Sequence, residues 1–200
     1  MFHVKQVVAA AHFAGLDLDP ARMDLLERYA GWLRDEAIPA GGLGPREADR
    51  IEDRHIADSL LFASQIPDWG RTVWDLGSGI GLPGIPLAIA NPDIDFRLVD
   101  RSGRRIDLLR RAIRVLSLGN CVAEMTEIER LEPGIETIVA RASLPPAEMK
   151  DVAERLLAPG GRAILGGSWR SLPRHDGWET VEIPPEVLDH TIWLLIMRRE

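Results

Sequence analysis

Cysteine is all but missing from this chain. Cys121 stands alone among 200 residues, which rules out an internal disulfide and leaves no cysteine-built metal cage, so no metal is expected. No apolar run approaches the length needed to span a bilayer. The opening Met1-Phe2-His3-Val4-Lys5-Gln6 has no basic segment, long apolar stretch or small-residue cleavage site of an export signal. These absences set the expectation of a cytoplasmic protein with no membrane partner. Tyrosine is nearly as scarce: Tyr29 is the only one, and four residues on stands Leu33, so the Tyr-x-x-x-Lys active site of short-chain dehydrogenases is excluded. Positive charge is also short, with 24 Lys and Arg against 31 Asp and Glu, a formal net charge of −7. A protein that grips bare nucleic acid through its phosphates is usually basic over a broad face. A nucleic-acid substrate would here have to meet a local basic patch or be presented by a larger assembly.

What is present suffices for a core: 46% of residues are hydrophobic and 28% charged, and the length suits one α/β domain with a small appendage. The chain divides at about residue 66. Residues 1–66 read as a helical appendage. Val4–Phe13 carries apolar residues at helical spacing, and Asp19-Pro20 is an N-cap followed by Pro at the first helical position. That second helix should run to about Ala37-Ile38-Pro39. Ala40-Gly41-Gly42-Leu43-Gly44-Pro45 reads as an exposed loop, and Glu47–Gln65 as a third helix.

Residues 67–200 read as one compact unit in which short β-rich runs alternate with helices, the pattern of a parallel sheet wrapped by helices. The expected strands are Thr72–Leu76, Asp95–Val99, Val122–Met125, Thr137–Ala140 and Arg162–Leu165. The expected helices are Gly84–Ala90, Gly103–Leu118 and Pro146–Leu157. Glu179–Ile183 and Thr191–Arg198 are strand-like, and the link between them is too short for a crossover helix, so the pair should be antiparallel. There is no internal repeat, and with no visible dimer face a monomer is the default.

The chemistry is concentrated in Asp75-Leu76-Gly77-Ser78-Gly79-Ile80-Gly81-Leu82-Pro83-Gly84, a strand end, a glycine-rich turn and a helix start. Glycines at Gly77, Gly79 and Gly81 let a bulky ligand lie against the backbone, where a Cβ would obstruct it or forbid the torsions. The following helix start should offer free N–H groups and partial positive charge. Gly79-x-Gly81-x-x-Gly84 also satisfies the dinucleotide pattern. Two features favour S-adenosylmethionine instead: the acid Asp75 ahead of the first glycine, and the terminal antiparallel pair. The expected fold is therefore a Rossmann-like class I methyltransferase sheet with an N-terminal helical appendage. Asp100 closes the second strand, at the distance downstream where a carboxylate accepts two hydrogen bonds from ribose hydroxyls.

Other polar groups carry two readings each. His55, Asp58 and Ser59 fall at i, i+3 and i+4 of one helix and should share a face, either docking the appendage by local hydrogen bonds or lining the pocket. Arg101, Arg104, Arg105, Arg110, Arg111 and Arg114 crowd the exit of the second strand and the next helix. They are a solvated surface or a basic face, with Arg101, Arg104 and Arg105 the candidates for RNA phosphates. Trp169, in an expected loop, could stack on a base.

Arg54-His55-Ile56-Ala57-Asp58-Ser59-Leu60, the Asp75–Gly84 motif continued by Ile85-Pro86-Leu87-Ala88, and Ala140-Arg141-Ala142 resemble the RsmG family, also called GidB. These are bacterial methyltransferases of small-subunit ribosomal RNA. The resemblance runs over nearly the whole chain, and its Gly-Leu-Pro-Gly-Ile-Pro extension is far more specific than a bare glycine loop. It implies methyl transfer from S-adenosylmethionine to guanine N7 in 16S ribosomal RNA of the small subunit. It also implies cofactor contacts at Gly77, Leu82, Ile128, Glu129 and Arg141, with Asp100 on the ribose. Arg141, ending the fourth strand, would hold the cofactor or orient the base.

The sequence departs from the family at two places. A Trp-Asn…Asn-Leu-Thr stretch is replaced by Trp32-Leu33-Arg34-Asp35, and a Lys-Gly pair by Gly166-Gly167. Both lie where RNA or the base would be met. Guanine N7 presents a lone pair and needs alignment rather than a base. In keeping with that, Ser143-Leu144-Pro145-Pro146-Ala147 lacks the Asn or Asp and the aromatic of exocyclic-amine methyltransferases. A methyltransferase acting on another substrate, and a module that binds S-adenosylmethionine or RNA without turnover, are the competing readings.

Overall fold

In the first third of the chain, helix signals and packing agree. The computed structural model describes residues 4–167 and 172–200, so Trp169 lies outside the described residues. Helix α1 is Val4–Phe13. Helix α2, Pro20–Trp32, starts where Asp19 Oδ1 accepts the Arg22 N–H at 2.8 Å, and it continues as a wider π-helical turn over Leu33–Ala37. The expected third helix is not uniform. It is a 3₁₀ segment Pro45–Arg50, a π-helical segment Ile51–Ala57, a single α turn Asp58–Leu60 (α3) and a 3₁₀ segment Leu61–Gln65. A π segment advances fewer degrees per residue than an α-helix and so re-aims the side chains that follow it.

Beyond it lie strands β1 Thr72–Leu76, β2 Asp95–Asp100, β3 Cys121–Met125, β4 Ile135–Arg141, β5 Leu157–Gly166, β6 Glu179–Ile183 and β7 Ile192–Arg198. Helices α4 Gly84–Ala90, α5 Gly103–Leu116, α6 Pro146–Leu156 and the single turn α7 Pro185–Leu188 connect them. The sheet order is β3-β2-β1-β4-β5-β7-β6. The β1–β2, β1–β4, β2–β3 and β4–β5 pairs are parallel, whereas β7 runs antiparallel to both β5 and β6. The expected antiparallel pair is there. Strand order reverses direction at β1, between β2 and β4, which is the switch point where open α/β sheets take ligands at the carboxyl ends of their strands.

Both sheet faces are covered. Ile106, Leu109, Ala112 and Leu116 of α5 form one buried stripe, the spacing expected of a helix with one face on a sheet. They join a cluster that includes Val7 and Leu26 of the N-terminal helices, Ile85 of α4 and Leu98 of β2. On the opposite face Met149, Ala153 and Leu156 of α6 pack with Leu76, Ile138 and Leu195. The helical region thus shares its core with the sheet.

Three arginines also tie the helical region to α5. Arg28 donates to the Val115 carbonyl at 2.6 Å, Arg111 pairs with Glu36 at 2.9 Å, and Arg104 donates to the Ala40 carbonyl. The glycine-rich stretch Ala40–Pro45 is consequently not a free loop: a Cβ on Gly42 would lie 2.4 Å from Ile80 Cγ2. From α2, fully buried Tyr29 donates its hydroxyl to the Ile80 carbonyl at 2.9 Å. Replacing Tyr29 by Phe leaves that carbonyl buried and unpaired. Chemical denaturation should show a loss of about 1–3 kcal/mol; an unchanged midpoint would mean that the appendage does not brace this turn.

Candidate active site

The turn leaving β1 is held from the neighbouring strand. The Gly77 and Ser78 N–H groups both donate to the Val99 carbonyl, at 2.8 and 2.9 Å, and the Gly79 N–H donates to Asp100 Oδ2 at 3.0 Å. Gly77 has φ +74°, and a Cβ there would sit 2.4 Å from Ser143 Cβ. No other residue fits that place without moving the strand β4 exit. The glycines divide by role. Gly77 and Gly79 border the hollows at the strand ends, where a Cβ on Gly79 would have room and one on Gly77 would meet Ser143, whereas a Cβ on Gly81 would strike Ile85, and one on Gly84 would strike Leu98. The structure therefore sets Gly81 in helix packing and not among the residues lining the site.

The free N–H groups expected at the start of α4 are taken. Gly84 donates to Asp75 Oδ2 at 2.9 Å, Ile85 donates to the Gly81 carbonyl at 2.7 Å, and Pro83 and Pro86 have no N–H. In the turn itself, among the described residues, Ile80 is the one amide between Gly77 and Leu82 without a protein acceptor. Asp75 is fully buried, and burial pushes its carboxyl up to about 7 against the opposing Gly84 N–H. Its role is to cap α4 from beneath.

Two hollows open at the carboxyl ends of the strands. One, of about 600 Å³, is walled by Val99, Asp100 and Arg101 on one side and by Ile128 and Glu129 on the other, with Ser143 at its base. The second, of about 380 Å³, takes in Gly79, Leu82, Arg141, His55 and Asp58. They meet at Gly77, Arg105 and Ala142, which line both, so they form one groove across the switch point. Asp100 is 4% exposed. Besides holding Gly79, it accepts the Ser102 N–H on Oδ1 at 2.8 Å and lies 3.5 Å from Arg105. These bonds orient the carboxylate and leave lone pairs facing the groove. The Ile128–Arg130 turn opposite is anchored by Arg155 of α6, which donates to the Ile128 and Leu131 carbonyls at 2.7 Å each.

Arg141 is fixed by the helical region. Its Nη1 donates to the Arg54 carbonyl at 3.3 Å and its Nη2 to His55 Nδ1 at 2.9 Å. The Nδ1 must then carry a lone pair, so the ring proton sits on Nε2, which donates to Glu47 Oε2 at 3.0 Å. Burial, and then the Arg141 guanidinium, hold His55 below the ordinary imidazole value, with Glu47 pulling the other way. His55 and Asp58 both line the second hollow while meeting different partners: His55 reaches Arg141 and Asp58 faces His190 at 3.6 Å, whereas Ser59 turns back to the His55 carbonyl.

The arginine cluster is similarly divided. Arg104 and Arg111 dock the appendage and Arg105 sits at Asp100, while Arg101, Arg110 and Arg114 are exposed and, among the described residues, form no ion pair. Sequence reasoning missed Tyr29, Glu47, Ser143 and Arg155, which belong to no contiguous motif; Tyr29 and Arg155 act through partners remote in the chain.

The two histidines titrate in opposite directions. His55 is depressed, so its contribution to stability is complete above about pH 6.5 and is lost as the pH falls below that. The Asp58 carboxylate raises His190, against burial, so its contribution is complete below about pH 6.5 and is lost as the pH rises through the folded-state value. NMR titration of the ring protons should place His55 below, and His190 above, the free-imidazole value. The reverse order would contradict the bonding described.

Comparison with known proteins bears directly on this groove. A model of the family described as GidB, rRNA small subunit methyltransferase G, matches residues 22–170. Proteins named ribosomal RNA small subunit methyltransferase G are 40% identical in Acidothermus cellulolyticus (70% of this chain, 63% of that one) and 36% identical in Mycobacterium marinum (72% and 64%). The Chlorobium luteolum protein of that name is 35% identical over 89% of this chain and 78% of its own length. The match thus spans slightly under two thirds of the first two relatives. Among solved structures, a mutant of MtNAS in complex with S-adenosylmethionine superposes with TM-score 0.59 at 16% identity, over 89% of this chain and 73% of that one. TrmN from Thermus thermophilus gives 0.53 at 19% identity, over 71% and 49%. These two share the fold. With the glycine turn, the Arg141 anchor and the switch-point groove all inside the matched residues, the chain belongs to the rRNA small subunit methyltransferase G family.

Proposed function

We propose that this chain transfers the methyl group of S-adenosylmethionine to N7 of a guanine in 16S ribosomal RNA, acting as a monomer on the small ribosomal subunit in the bacterial cytoplasm. The observation that carries the reading is the continuous groove at the switch point, one half walled by Asp100 and Ile128, the other by Arg141, in a chain of this family. The relatives' shared name supplies the RNA class.

The residues present fit a nucleoside with an amino-acid tail. Asp100 has lone pairs for the ribose diol, Ile128 and Glu129 face it across the space for a purine, and Gly77 permits close approach of the chain between them. Ser143 Oγ, buried and without a partner among the described residues, and the Ile80 amide are polar groups that a ligand can satisfy. Bound there, S-adenosylmethionine supplies a methyl group already activated on a sulfonium. The N7 lone pair forms the new C–N bond as the S–C bond breaks, the electron pair stays on sulfur, and the positive charge passes to the guanine ring. No proton leaves, so no base is required. The site agrees: both ring nitrogens of His55 are engaged. Arg141, Leu82 and Gly79 align the reactants, which suits a reaction limited by approach geometry.

The direct test offers purified protein, labelled methyl donor and small subunits from a strain lacking this methylation. Label should appear at N7 of one 16S guanine. Label on another molecule, or binding of the donor with no transfer, would overturn the assignment.

Arg101 and Arg105 stand at the groove's mouth and are our candidates for backbone phosphates, whereas Arg104 is committed to Ala40. Reversing the charge of Arg101 should weaken RNA binding at low salt and reduce the slope of log affinity against log salt by about 0.7–0.9. A slope equal to that of the unaltered protein would remove Arg101 from the interface.

A further inference from the structure

Beyond Arg141 the groove continues into a third hollow of about 140 Å³. It shares Arg54, Asp58 and Gly167 with the second and is closed by His190 and Trp193 from the C-terminal hairpin. Three of its polar atoms, Asp58 Oδ1, His190 Nε2 and Trp193 Nε1, are buried and make no hydrogen bond among the described residues. Such atoms are rare in folded proteins because each forgoes its solvation without compensation.

The arrangement is also chemically specific. His190 Nδ1 lies 2.7 Å from the Leu188 carbonyl, so it is the protonated nitrogen of the neutral ring. Its Nε2 faces the Asp58 carboxylate 3.6 Å away, and that carboxylate raises the His190 pKa against burial, which favours the protonated ring beside it. The hollow is therefore lined by a residue with a carboxylate acceptor, Asp58, and by three with N–H donors, His190, Trp193 and Arg54.

We infer that this hollow receives the Watson–Crick edge of the target guanine, with Asp58 accepting from N1–H and the N2 amino group and with Trp193 Nε1 or Arg54 donating to O6. This rests on the guanine-N7 reading above. Guanine alone among the four bases has two adjacent donors followed by an acceptor on that edge. Adenine and cytosine present ring acceptors toward a carboxylate, and uracil has a single donor between two acceptors. Proteins that extract a nucleotide from its stack read it on this edge. The geometry of the purine makes the assignment coherent with the chemistry: N7 lies on the side of the ring away from N1 and N2. A base whose edge enters the outer hollow presents N7 back toward Gly77 and Arg141, where the methyl donor is placed. Asp58 and Trp193 are here specificity and positioning residues, while the transfer itself is aligned at the inner hollow.

The test compares two substrates and two variants. Small subunits are reconstituted with 16S RNA ligated to carry either guanosine or inosine at the methylated position; inosine lacks only the N2 amino group and keeps N7. For the unaltered protein, kcat/KM should fall by about 10- to 100-fold on inosine, the loss expected for one hydrogen bond to a charged acceptor. In Asp58→Asn the guanosine rate should fall at least as far and the preference for guanosine should shrink to within about threefold, the signature of two changes acting on one contact. Affinity for S-adenosylhomocysteine, measured by calorimetry, should not change. Trp193→Phe, which keeps the ring and removes the N–H, should lower kcat/KM on both substrates by a similar factor, again with the product nucleoside bound normally.

Equal rates of the unaltered protein on guanosine and inosine overturn the proposal, and that comparison needs no variant to fold. Retention of the guanosine preference in Asp58→Asn would also overturn it. Failure of the unaltered protein to methylate even the guanosine substrate, with S-adenosylhomocysteine still bound, would instead bring down the guanine-N7 reading and this inference with it.

Discussion

The bend that carries the chain out of β1 is the constraint on which the rest of the site depends. Three consecutive amides, those of Gly77, Ser78 and Gly79, are all claimed by the last two residues of β2. A parallel neighbour thus reaches past its own ladder to fix the loop of the strand beside it. Tyr29 pins the same loop from the other side through the Ile80 carbonyl. With every amide of the turn but that of Ile80 paired, and the Ile80 carbonyl held from outside, the turn is tied down on both sides. Its shape is set before any ligand arrives, and a preformed site loses less on binding because little remains to be ordered. The same bonds explain why Asp100 can serve two purposes. The carboxylate is oriented by the Gly79 and Ser102 amides, and its unused lone pairs are thereby directed at the groove.

The fold was legible because its signals are local. Alternating apolar runs, an Asp-Pro helix start and a short link before the last strand each act within a few residues, and the sheet followed them to within a residue or two at most ends. The composition of the groove was legible for the same reason where a motif is contiguous, as at Gly77, Gly79 and Asp100. It was not legible where partners are remote in the chain. Arg141 is held by His55 some eighty residues earlier, and Asp58 faces His190 across more than a hundred. Helical periodicity also misled at one point. His55, Asp58 and Ser59 should share a face at α-helical spacing; with Ile51–Ala57 π-helical, His55 and Asp58 both line the second hollow, whereas Ser59 turns back to the His55 carbonyl. The Ala40–Pro45 stretch reads as loose from its glycines alone, yet Gly42 is there because Ile80 leaves no room for a side chain. Glycine content reports permissiveness; only packing shows whether that freedom is used.

Charge is distributed with similar economy. An acidic chain has few basic groups to present, and the arginines of the β2 exit and α5 are not all presented. Arg104 and Arg111 satisfy carbonyl and carboxylate groups of the appendage. These docking contacts are largely exposed and individually weak, but they join elements that also share an apolar core. Their effect is on orientation more than on net stability: they set where the appendage lies and therefore where His55 meets Arg141. The residual basic surface at Arg101, Arg110 and Arg114 is narrow.

The buried titratable groups of the groove follow a single logic. Asp75, Asp100, His55 and Arg141 all lie at the switch point, and each is oriented by hydrogen bonds from its neighbours. Asp75 is pushed toward its neutral form by burial, and His55 is kept neutral by burial and the Arg141 guanidinium. A site built to remove a proton would aim at the substrate a group whose pKa is tuned close to neutrality. Here the lone pair of His55 is covered by Arg141, and the carboxylate of Asp75 lies beneath the turn, out of reach of the groove. What remains available is shape, the carboxylates of Asp100 and Asp58 as acceptors, and a guanidinium clamped in place. That inventory matches a reaction in which the nucleophile arrives with its electron pair already exposed and the protein's contribution is to hold two ligands in line. The same polar groups that would be a liability in an ordinary core are tolerated because, at the one place where the sheet's strand order reverses, they replace the solvent that alignment must exclude.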